Sequence, residues 1–314
     1  MSIKVYVDGQ AGTTGLKIIS RLEQRKDIIL LKIADEDRHN NNKRAEIMAE
    51  SDFTFLCLPD DAAREAVKLA GNHTRIIDAS TAHRTNPDWA YGFPELSVEL
   101  RNKIANSNKT AVAGCYASGF ISMLYPMVKS GLLPADFPVF AYATSGYSGA
   151  GKNAIAIYES TDKPEEFYSP RQYALSQEHK HLPEMQLFSG LQYKPMFNPI
   201  ICDYYSGMVV SVPIQTRMLD KKITIQQVNT MFQEHYATAK LVTVNKIMPP
   251  EEQKAFFLAS NTLSGKNKLE IFTFGNDDQI LLCARLDNLG KGASGAAVQC
   301  LNIMMGIDEQ TGLK

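Results

Sequence analysis

Over the first third of the chain, short apolar runs alternate with segments in which apolar residues recur at helical spacing. The run that ends at Val7 is followed by residues 16–22, where apolar side chains return about once per helical turn. Strand, helix and strand in such short units predict an α/β fold with a parallel, doubly wound sheet of the Rossmann type. The predicted strands are residues 3–7, 28–33, 53–58, 75–78 and 110–113, and a second helix is predicted over 60–70.

The remainder of the chain predicts a second, α+β catalytic domain. We expect the dinucleotide-binding domain to comprise residues 1–114 and 288–314, and the catalytic domain to comprise residues 115–287. The first domain includes the C-terminal residues because a last helix over 296–305 is expected to pack back on it. The predicted strands of the second domain are 209–214, 240–246, 268–274 and 279–286, and its predicted helix is 226–235.

Composition and charge exclude several classes of protein. The 314 residues are 44% hydrophobic and 21% charged, near the averages for globular proteins, and the formal net charge is -1. There is no basic excess to attract nucleic acid, and no stretch approaches the roughly 20 apolar residues of a membrane helix. The start of the chain has no signal-peptide layout, so a cytoplasmic location is expected. The five cysteines form no Cys-x-x-Cys pair, which argues against a disulfide framework, and no metal site is expected.

A glycine-rich turn lies between the first predicted strand and the first predicted helix. Gly9, Gly12 and Gly15 approximate the Gly-x-Gly-x-x-Gly fingerprint of dinucleotide-binding folds. Glycines there allow a tight turn and a close approach of the backbone to pyrophosphate, whose charge suits a helix N-terminus. The hydroxyls of Thr13 and Thr14 can donate to phosphate. The alternative is a glycine-rich turn that binds nothing.

The residues that would contact the 2′ position of the cofactor leave its identity open. Asp35 follows the second predicted strand, where a carboxylate accepts from the free ribose hydroxyl of NAD. Arg38 follows closely and can bind the 2′-phosphate of NADP. A solvated polar loop accounts for these two residues equally well.

Two further glycine patterns occur later in the chain. Residues 290–295 match the dinucleotide fingerprint letter for letter, but too few residues follow for the βαβ unit of about 30 residues that the motif needs. Residues 146–153 resemble a P-loop, except that Asn153 replaces the serine or threonine that binds magnesium. A nucleoside triphosphatase is therefore disfavoured, although this backbone and Lys152 can bind a substrate phosphate.

Cys115 is the best candidate nucleophile. It follows a predicted strand and precedes an apolar, helix-like stretch over residues 120–128. The positive end of a helix dipole lowers the pKa of a thiol, and the amides of Tyr116 and Ala117 could face a developing oxyanion. A small residue at a strand-to-helix junction is the alternative interpretation. Cys202 is ambiguous, and the cysteines that we interpret as inert core thiols are Cys57, Cys283 and Cys300.

The densest group of histidines, His179 and His181, supplies a candidate acid/base. Residues at i and i+2 do not share a face of a helix, so the pair does not match the His-x-x-x-His spacing of a zinc site. An imidazole that exchanges protons at the Cys115 site is the sharper hypothesis. A polar surface loop is the alternative.

Seven short motifs follow one another along nearly the whole chain, each modest alone and specific in combination. They are Gly-Thr-Thr-Gly-Leu (12–16), Leu-Pro-Asp-Asp-Ala (58–62), Trp-Ala-Tyr-Gly-Phe (89–93), Gly-Cys-Tyr (114–116), Ser-Gly-Tyr-Ser-Gly-Ala-Gly-Lys (145–152), His-Lys-His-Leu-Pro-Glu-Met (179–185) and Asp-Asn-Leu-Gly-Lys-Gly-Ala-Ser-Gly (287–295). Together they closely resemble the N-acetyl-gamma-glutamyl-phosphate reductase family, in the shorter of its two sequence types.

The resemblance implies an enzyme of arginine biosynthesis. The family uses NADPH to reduce N-acetyl-L-glutamyl 5-phosphate to N-acetyl-L-glutamate 5-semialdehyde and phosphate, through a cysteine thioester. By this resemblance Cys115 is the nucleophile, His181 is the acid/base, and the protein acts on a small molecule as a homo-oligomer, a dimer or tetramer. The implied cofactor-binding residues are Gly9, Gly12, Thr13, Thr14, Gly15, Arg38, Pro59, Ser80, Thr81, Asn288 and Gly290. The implied substrate-binding residues are Ser145, Gly146, Tyr147, Ser148, Gly149, Lys152, His179 and Glu184.

Alternatives from other classes stay open on the sequence alone. An aspartate-type semialdehyde dehydrogenase would use the same cysteine chemistry on a different acyl phosphate. A P-loop-like nucleotide-binding protein would hydrolyse ATP without Cys115. A non-catalytic Rossmann sensor would bind the nucleotide and turn nothing over.

Overall fold

The computed structural model describes residues 2–313, which form two compact units. One unit contains the chain up to Gly114 together with the residues from Ala293 onward. The other is the continuous stretch Cys115–Gly292. The chain thus returns to the first unit at Ala293, whereas the sequence had indicated residue 288.

The segment before Ala293 stays with the second unit because its backbone packs tightly there. A β-carbon on Gly290 would lie 2.4 Å from the carbonyl oxygen of Lys266, so no larger residue fits without movement. The side chain of Asn288 accepts a hydrogen bond from the Gly207 amide at 2.8 Å. Both contacts lie inside the second unit, which corrects the predicted boundary.

A parallel sheet forms the centre of the first unit. Every residue of its third strand, Phe53–Leu56, is buried, as expected for a parallel sheet covered on both faces. The strands are β1 (Ile3–Asp8), β2 (Ile28–Leu31), β3 (Phe53–Leu56), β4 (Arg75–Asp78), β5 (Ala90–Gly92) and β6 (Lys109–Val112). Their order is β2-β1-β3-β4-β6-β5, and all neighbouring pairs are parallel. The predicted strands are confirmed apart from their ends, and β5 was not predicted because its three residues show no periodicity.

Helices between these strands complete the doubly wound arrangement. They are α1 (Thr13–Leu22), α2 (Asn41–Glu50), α3 (Asp60–Ala70) and α4 (Val98–Asn106). The side chain of Asn40 caps α2 by accepting from the amides of Asn42 and Lys43. Asp60 and Asp61 lie in the first turn of α3, where carboxylates suit the helix dipole. Side-chain caps thus mark the start of α2 and, through Ser97, of α4, whereas Gly12 and Pro59 precede α1 and α3 without one.

The second unit is built on a mixed sheet. Its strands are β7 (Phe140–Gly146), β8 (Arg171–Gln172), β9 (Met196–Cys202), β10 (Met208–Gln215), β11 (Val242–Val244), β12 (Leu269–Gly275) and β13 (Gln279–Leu286). Their order is β11-β12-β13-β10-β7-β9-β8. The pairs β7·β9 and β11·β12 are parallel and the other pairs are antiparallel. Four of these strands were predicted, although β11 is shorter than expected, and β7, β8 and β9 were not.

One face of this sheet is covered by helices. The helices of the second unit are α5 (Cys115–Lys129), α6 (Lys152–Tyr158), α7 (Leu182–Ser189), α8 (Ile225–His235) and α9 (Pro250–Ala255). Helix α5 packs on β10 and β13 and also contacts α7 and α8. Along β7, Ala141 and Ala143 are buried, whereas Phe140 and Tyr142 on the opposite face are exposed.

After β13 the chain forms a π-helical turn at Gly290–Ser294 and then α10 (Gly295–Met304). All residues of α10 are buried, and the helix contacts α4, β4 and β6 of the first unit, which confirms the predicted last helix and its packing. Nowhere in residues 2–313 does a helix combine the length and apolar character needed to cross a membrane.

Candidate active site

Cys115 is the first residue of α5 and is partly exposed. The helix begins at the cysteine itself, ahead of the stretch 120–128 that the sequence indicated. The first turn of a helix presents amides that have no intrahelical acceptor, and the dipole there favours negative charge. Gly292 packs against the cysteine, since a β-carbon at 292 would lie 2.7 Å from that of Cys115. The start of the helix therefore suits a thiolate at Cys115. The Cys115 side chain has room there only because residue 292 is glycine.

The other cysteines lie in surroundings that keep their thiols protonated. Burial, with the carboxylates of Asp78 and Asp8, raises the pKa of Cys57. Burial raises the pKa of Cys283 to about 11 and also raises that of Cys202. Cys300 lies in α10 with no exposed surface. These environments agree with the interpretation of Cys57, Cys283 and Cys300 as inert thiols and extend it to Cys202.

The structure brings both histidines of the predicted acid/base segment to the residue that follows the nucleophile. The Tyr116 ring centroid lies 5.6 Å from that of His179 and 5.9 Å from that of His181. The imidazole Nδ1 of His179 accepts from the backbone amide of His181 at 3.1 Å, and His181 precedes α7. His181 is buried, so its imidazole is held and not free in a surface loop. In residues 2–313 no group of three or more His, Cys, Asp or Glu side chains could hold a metal ion.

Glu184 lies one helical turn after His181. One carboxylate oxygen is 4.0 Å from Nε2 of His181, and the side chain of Glu184 is only 1% exposed. The sequence assigned Glu184 to substrate binding, and the structure places its buried carboxylate beside the His181 imidazole.

Tyr173 joins this cluster without having been predicted. Its hydroxyl donates to the Tyr116 hydroxyl at 3.0 Å. Burial raises the pKa of Tyr173, and the nearby Cys115 raises it further. Burial likewise raises the pKa of Tyr116, again with a contribution from Cys115. Both phenols therefore stay protonated and can act as hydrogen-bond donors beside the thiol.

The loop that carries Tyr173 has an unusual backbone. Ala174 and Gln177 have φ angles of 52° and 60°, a region that residues other than glycine rarely adopt. The side chain of Gln177 bonds both backbone groups of Phe197 in β9, at 3.0 and 2.9 Å. One side chain thus replaces a strand partner and holds the loop in place. Strain of this kind commonly occurs at functional sites.

The segment 146–152 is a strand-to-helix turn, but it is not a P-loop. The amides of Tyr147 and Ser148 donate to the carbonyls of Tyr204 and Tyr205, at 2.9 and 3.0 Å. They therefore do not face a common anion, as P-loop amides must. Of the residues assigned to substrate binding here, Ser145, Gly146 and Ser148 are buried, Tyr147 is partly exposed, and Gly149 and Lys152 are exposed.

Asn288 holds this turn from inside the second unit. Its amide nitrogen donates to the Ser148 hydroxyl at 2.9 Å, and its oxygen accepts from the Gly207 amide. The residue is 2% exposed. The sequence assigned Asn288 and Gly290 to the cofactor, and both lie in the second unit, where Asn288 also holds the turn.

In the first unit, the glycine turn between β1 and α1 forms a cradle that larger residues would fill. Gly9 has φ +90°, and a β-carbon there would lie 2.3 Å from the Cys57 carbonyl oxygen. A β-carbon at Gly15 would lie 2.4 Å from the Gly9 carbonyl oxygen. Gly12 directly precedes α1, so no side chain caps its first turn, which starts at Thr13. These features fit the pyrophosphate of a dinucleotide.

A cavity of about 370 Å³ lies beside this turn and is lined in part by Leu16 and Leu30. Gln10, Asp35 and Arg38 line it as well. Asp35 and Arg38 form an exposed ion pair at 4.0 Å. A carboxylate for a ribose hydroxyl and a guanidinium for a 2′-phosphate are thus both present at one cavity.

Ser80 and Thr81 follow β4, at the carboxyl edge where parallel sheets bind their ligands. The Ser80 amide and hydroxyl both donate to buried Asp78 at 2.8 Å. Thr81 donates in the same way to Asp60, the first residue of α3, which follows Pro59. Two carboxylates therefore fix this edge and the backbone that the cofactor would meet.

Comparisons with known proteins agree with this arrangement. The family model described as "Semialdehyde dehydrogenase, dimerisation domain" matches residues 115–288, and "Semialdehyde dehydrogenase, NAD binding domain" matches residues 36–106. N-acetyl-gamma-glutamyl-phosphate reductase 2 of Nostoc sp. is 43% identical over 318 residues, covering 99% of each chain. N-acetyl-gamma-glutamyl-phosphate reductase of Brucella ovis is 44% identical over 312 residues, covering 98% of this chain and all of the relative. The chain belongs to the N-acetyl-gamma-glutamyl-phosphate reductase family.

More distant relatives of the reductase family share the fold alone. Aspartate semialdehyde dehydrogenase II of Vibrio cholerae superposes with a TM-score of 0.71 at 16% identity, over 98% of this chain and 99% of that one. The enzyme of Francisella tularensis gives a TM-score of 0.70 at 16% identity, over 96% and 100%. The Rossmann-type sheet with a second mixed-sheet unit is therefore common to both groups.

Within this member of the reductase family, the sequence drew attention to the Cys115 and His179–His181 segments and not to Tyr173, which lies beside them. Tyr173 lies in a loop without periodicity that Gln177 joins to Phe197. Arg171, at the start of β8, lies in the same stretch. No pattern in the sequence marks either residue, because the two-residue strand that positions them is too short to detect.

Proposed function

We propose that this chain reduces N-acetyl-L-glutamyl 5-phosphate to N-acetyl-L-glutamate 5-semialdehyde, with release of phosphate and NADPH as the reductant. The observation that carries the proposal is the placement of Cys115 at a helix start, with His179 and His181 around the adjacent Tyr116 ring. The names of the relatives supply the substrate.

Cys115 begins the reaction in this proposal. Its thiolate attacks the acyl carbon, a carbon–sulfur bond forms, and the carbon–oxygen bond to phosphate breaks, which leaves a thioester. His181 takes the thiol proton and passes it to the departing phosphate. The first-turn amides of α5 stabilise the oxyanion that forms before phosphate leaves.

The second half of the reaction releases the aldehyde. When bound, NADPH supplies the hydride that reduces the thioester carbonyl. Collapse of the resulting tetrahedral oxyanion breaks the carbon–sulfur bond and re-forms the Cys115 thiolate. His181 then relays a proton from solvent to the sulfur, and Glu184 keeps the imidazole oriented throughout.

The binding residues follow from exposure and position. Gly149, Lys152 and Tyr147 are accessible to a substrate phosphate. We also assign substrate binding to His179, whose ring packs on Tyr116. On the cofactor side, the residues that we assign to NADPH are Gly9, Gly12, Thr13, Thr14, Gly15, Arg38, Pro59, Ser80 and Thr81. The cradle at the glycine turn and the cavity with Arg38 support this assignment.

We also propose that the protein is a homodimer that acts in the cytoplasm. The family model that matches the second unit is described as a dimerisation domain. The uncovered face of its sheet exposes Phe140, Tyr142 and Met196. Exposed apolar surface on one sheet face is typical of a protein interface.

Phosphate-dependent reduction of NADP⁺ with N-acetylglutamate semialdehyde tests the function directly. We expect turnover by the wild type and none by Cys115→Ala, and robust turnover by that variant would overturn the covalent route. The second candidate function is that of an aspartate-type semialdehyde dehydrogenase, whose fold is similar. A parallel assay with aspartate semialdehyde distinguishes the two functions. Preference for aspartate semialdehyde would replace the proposed substrate and leave the chemistry unchanged.

A further inference from the structure

Arg171 is a partly buried guanidinium that no carboxylate in residues 2–313 neutralises. Its Nη2 donates to the Tyr158 hydroxyl at 2.8 Å, while its buried Nε makes no hydrogen bond. Other buried guanidinium groups are better satisfied: Arg44 pairs with Asp8 at 2.8 Å and Arg285 with Glu270 at 2.6 Å. Arg84 donates to the backbone carbonyls of Val112 and Ala79. Removing a charged donor from water without such a partner is costly. This contrast points to a ligand that supplies the negative charge.

The register of the sheet places Arg171 on the face that carries the nucleophile. Arg171 pairs with Ile201 in β9, and Ile201 pairs on its other side with Ser145 in β7. Side chains at paired positions project to the same face of a sheet, and two strand spacings amount to roughly 10 Å. The Ser145 hydroxyl interacts with Tyr116, the neighbour of Cys115. Arg171 therefore stands on the Cys115 side of the sheet, two strands from Ser145.

Tyr173 supports the same orientation. Residues i and i+2 of a strand project to one face, and the Tyr173 amide continues the ladder by donating to the Pro199 carbonyl at 3.2 Å. Its hydroxyl bonds Tyr116 beside the nucleophile. The side chains of Arg171 and Tyr173 thus flank one surface that leads to Cys115.

Aromatic rings hold the guanidinium in place. Its central carbon lies 3.5 Å from the Phe167 ring centroid and 5.4 Å from that of Tyr158. Tyr158 in turn stacks on Tyr147 at 4.5 Å with nearly parallel planes, and Tyr147 belongs to the segment assigned to the substrate. A guanidinium fixed between rings loses little freedom when it binds an anion.

We propose that Arg171 binds the α-carboxylate of the acyl substrate, an inference that rests on the proposed function. A guanidinium presents paired N–H donors that match a carboxylate. In the proposed substrate four carbon–carbon bonds separate the reacting carbonyl from the α-carboxylate, a reach of roughly 5 Å when extended. Added to the carbon–sulfur bond and a hydrogen bond, this length is about 10 Å, the same as the two strand spacings between Ser145 and Arg171. Arg171 thereby selects substrates that carry a second anionic group.

The sharpest test compares two aldehydes that differ only in that carboxylate. The acidic aldehyde, N-acetylglutamate semialdehyde, and its neutral counterpart, 4-acetamidobutanal, are assayed in the phosphate-dependent direction with the wild type and with Arg171→Met. We expect Arg171→Met to raise the KM of the acidic aldehyde by about 10- to 100-fold, the range for a hydrogen bond to a charged group. The KM of the neutral aldehyde should change by less than about twofold, since that aldehyde never made the contact.

Lys163→Met is the matched control. Lys163 packs on Tyr158 and Tyr168 in the same aromatic group, but its charge is already paired with Asp203 at 2.8 Å. We expect the preference between the two aldehydes to persist in this variant. An equal loss for both aldehydes in Arg171→Met would show a structural role and overturn the proposal. A rise confined to the KM of inorganic phosphate would assign Arg171 to the leaving group and would also overturn it.

A binding measurement separates this inference from the proposed function. N-acetyl-L-glutamate should protect Cys115 from iodoacetamide in the wild type, and Arg171→Met should need about tenfold more for the same protection. If the wild type turns over neither aldehyde yet shows this difference, the proposed function is wrong and the anion site stands. Equal protection of both proteins overturns the anion site. Should Arg171→Met fail to fold, Arg171→Lys retains the charge without the paired donors and should show an intermediate loss of protection.

Discussion

Two cysteines, one in each unit, lie where a strand gives way to a helix, and only one of them suits nucleophilic chemistry. Cys57 follows β3 and precedes α3, while Cys115 begins α5. Burial and the carboxylates of Asp78 and Asp8 raise the pKa of Cys57. Cys115 is partly exposed and has imidazole and phenol groups for neighbours. Both thiols are partly exposed, so a strand-to-helix junction does not by itself make a nucleophile, and the surrounding charges decide the outcome.

The largest expected effect comes from removing the two thiols one at a time. Cys115→Ala should lower kcat/KM by about 10⁴-fold or more, because no other group can form the thioester. Cys57→Ala should retain activity within about threefold, since its thiol takes no part in the chemistry. Steady-state assays of both variants, with circular dichroism as a check on folding, measure the difference. Comparable losses would contradict the distinction between the two sites.

His181→Asn should come next in size. Loss of the proton carrier should lower kcat by about 10²- to 10⁴-fold with little change in the KM of the semialdehyde. The same substitution should slow alkylation of Cys115 by iodoacetamide while Cys57 stays unmodified in both proteins. Unchanged alkylation of Cys115 would show that the imidazole does not act on this thiol. Glu184→Gln should produce a smaller loss in kcat and shift its pH profile, because the carboxylate acts through His181.

Each cysteine packs against a glycine, which allows the two surroundings to be perturbed separately. Gly292→Ala brings a methyl group 2.7 Å from the β-carbon of Cys115 and should lower kcat by about tenfold through displacement of the thiol. Gly9→Ala brings a methyl group 2.3 Å from the Cys57 carbonyl oxygen. Because this contact distorts the glycine turn, the substitution should raise the KM of NADPH and not lower kcat. Steady-state kinetics, with the semialdehyde and the cofactor varied in turn, measure kcat and the cofactor KM of both variants. If each substitution changed both kcat and this KM, the two sites would not be separable.

The smallest effect concerns stability at alkaline pH. An unfolded cysteine ionises near pH 8.5, whereas folding raises the pKa of Cys57 well above that value. The folded chain therefore holds a proton that the unfolded chain releases, so the free energy of unfolding should fall as pH rises above about 8.5. Cys57→Ala should make that fall shallower, by up to about 1.4 kcal/mol per pH unit. Urea unfolding between pH 8 and 10 measures both slopes, and identical slopes would contradict the expectation.

Most strands of the first unit could be predicted from the sequence. Its strands are short apolar runs separated by amphipathic helices, and the glycines at 9 and 15 mark a turn that steric contact requires. Strand β5 was not predicted, because three residues carry no period, and the helices α2 and α4 were not predicted either. Local pattern and fold agree best where a strand such as β3 is buried on both faces and helices such as α1 and α3 are buried on one.

The second unit was harder to predict because its site is assembled by long-range contacts. Strand β7 alternates small buried residues with exposed aromatic ones, a weak signal that was not detected. Tyr173 and Arg171 reach the site through pairing of β8 with β9 and through the side chain of Gln177. Asn288 was placed in the first unit because the family resemblance implied that its segment returns to the cofactor, whereas its side-chain amide bonds Ser148 and Gly207 in the second unit. Pairings between distant segments leave no trace in local periodicity.

The continuity of Cys115–Gly292 has an evolutionary consequence. The thiol, both imidazoles, the carboxylate of Glu184 and the guanidinium of Arg171 all come from this one uninterrupted length of polypeptide. A single insertion of coding sequence into an ancestral nucleotide-binding protein would therefore carry every residue of the proposed acyl-transfer site with it. Substrate range could then diversify inside the insert without altering the host fold.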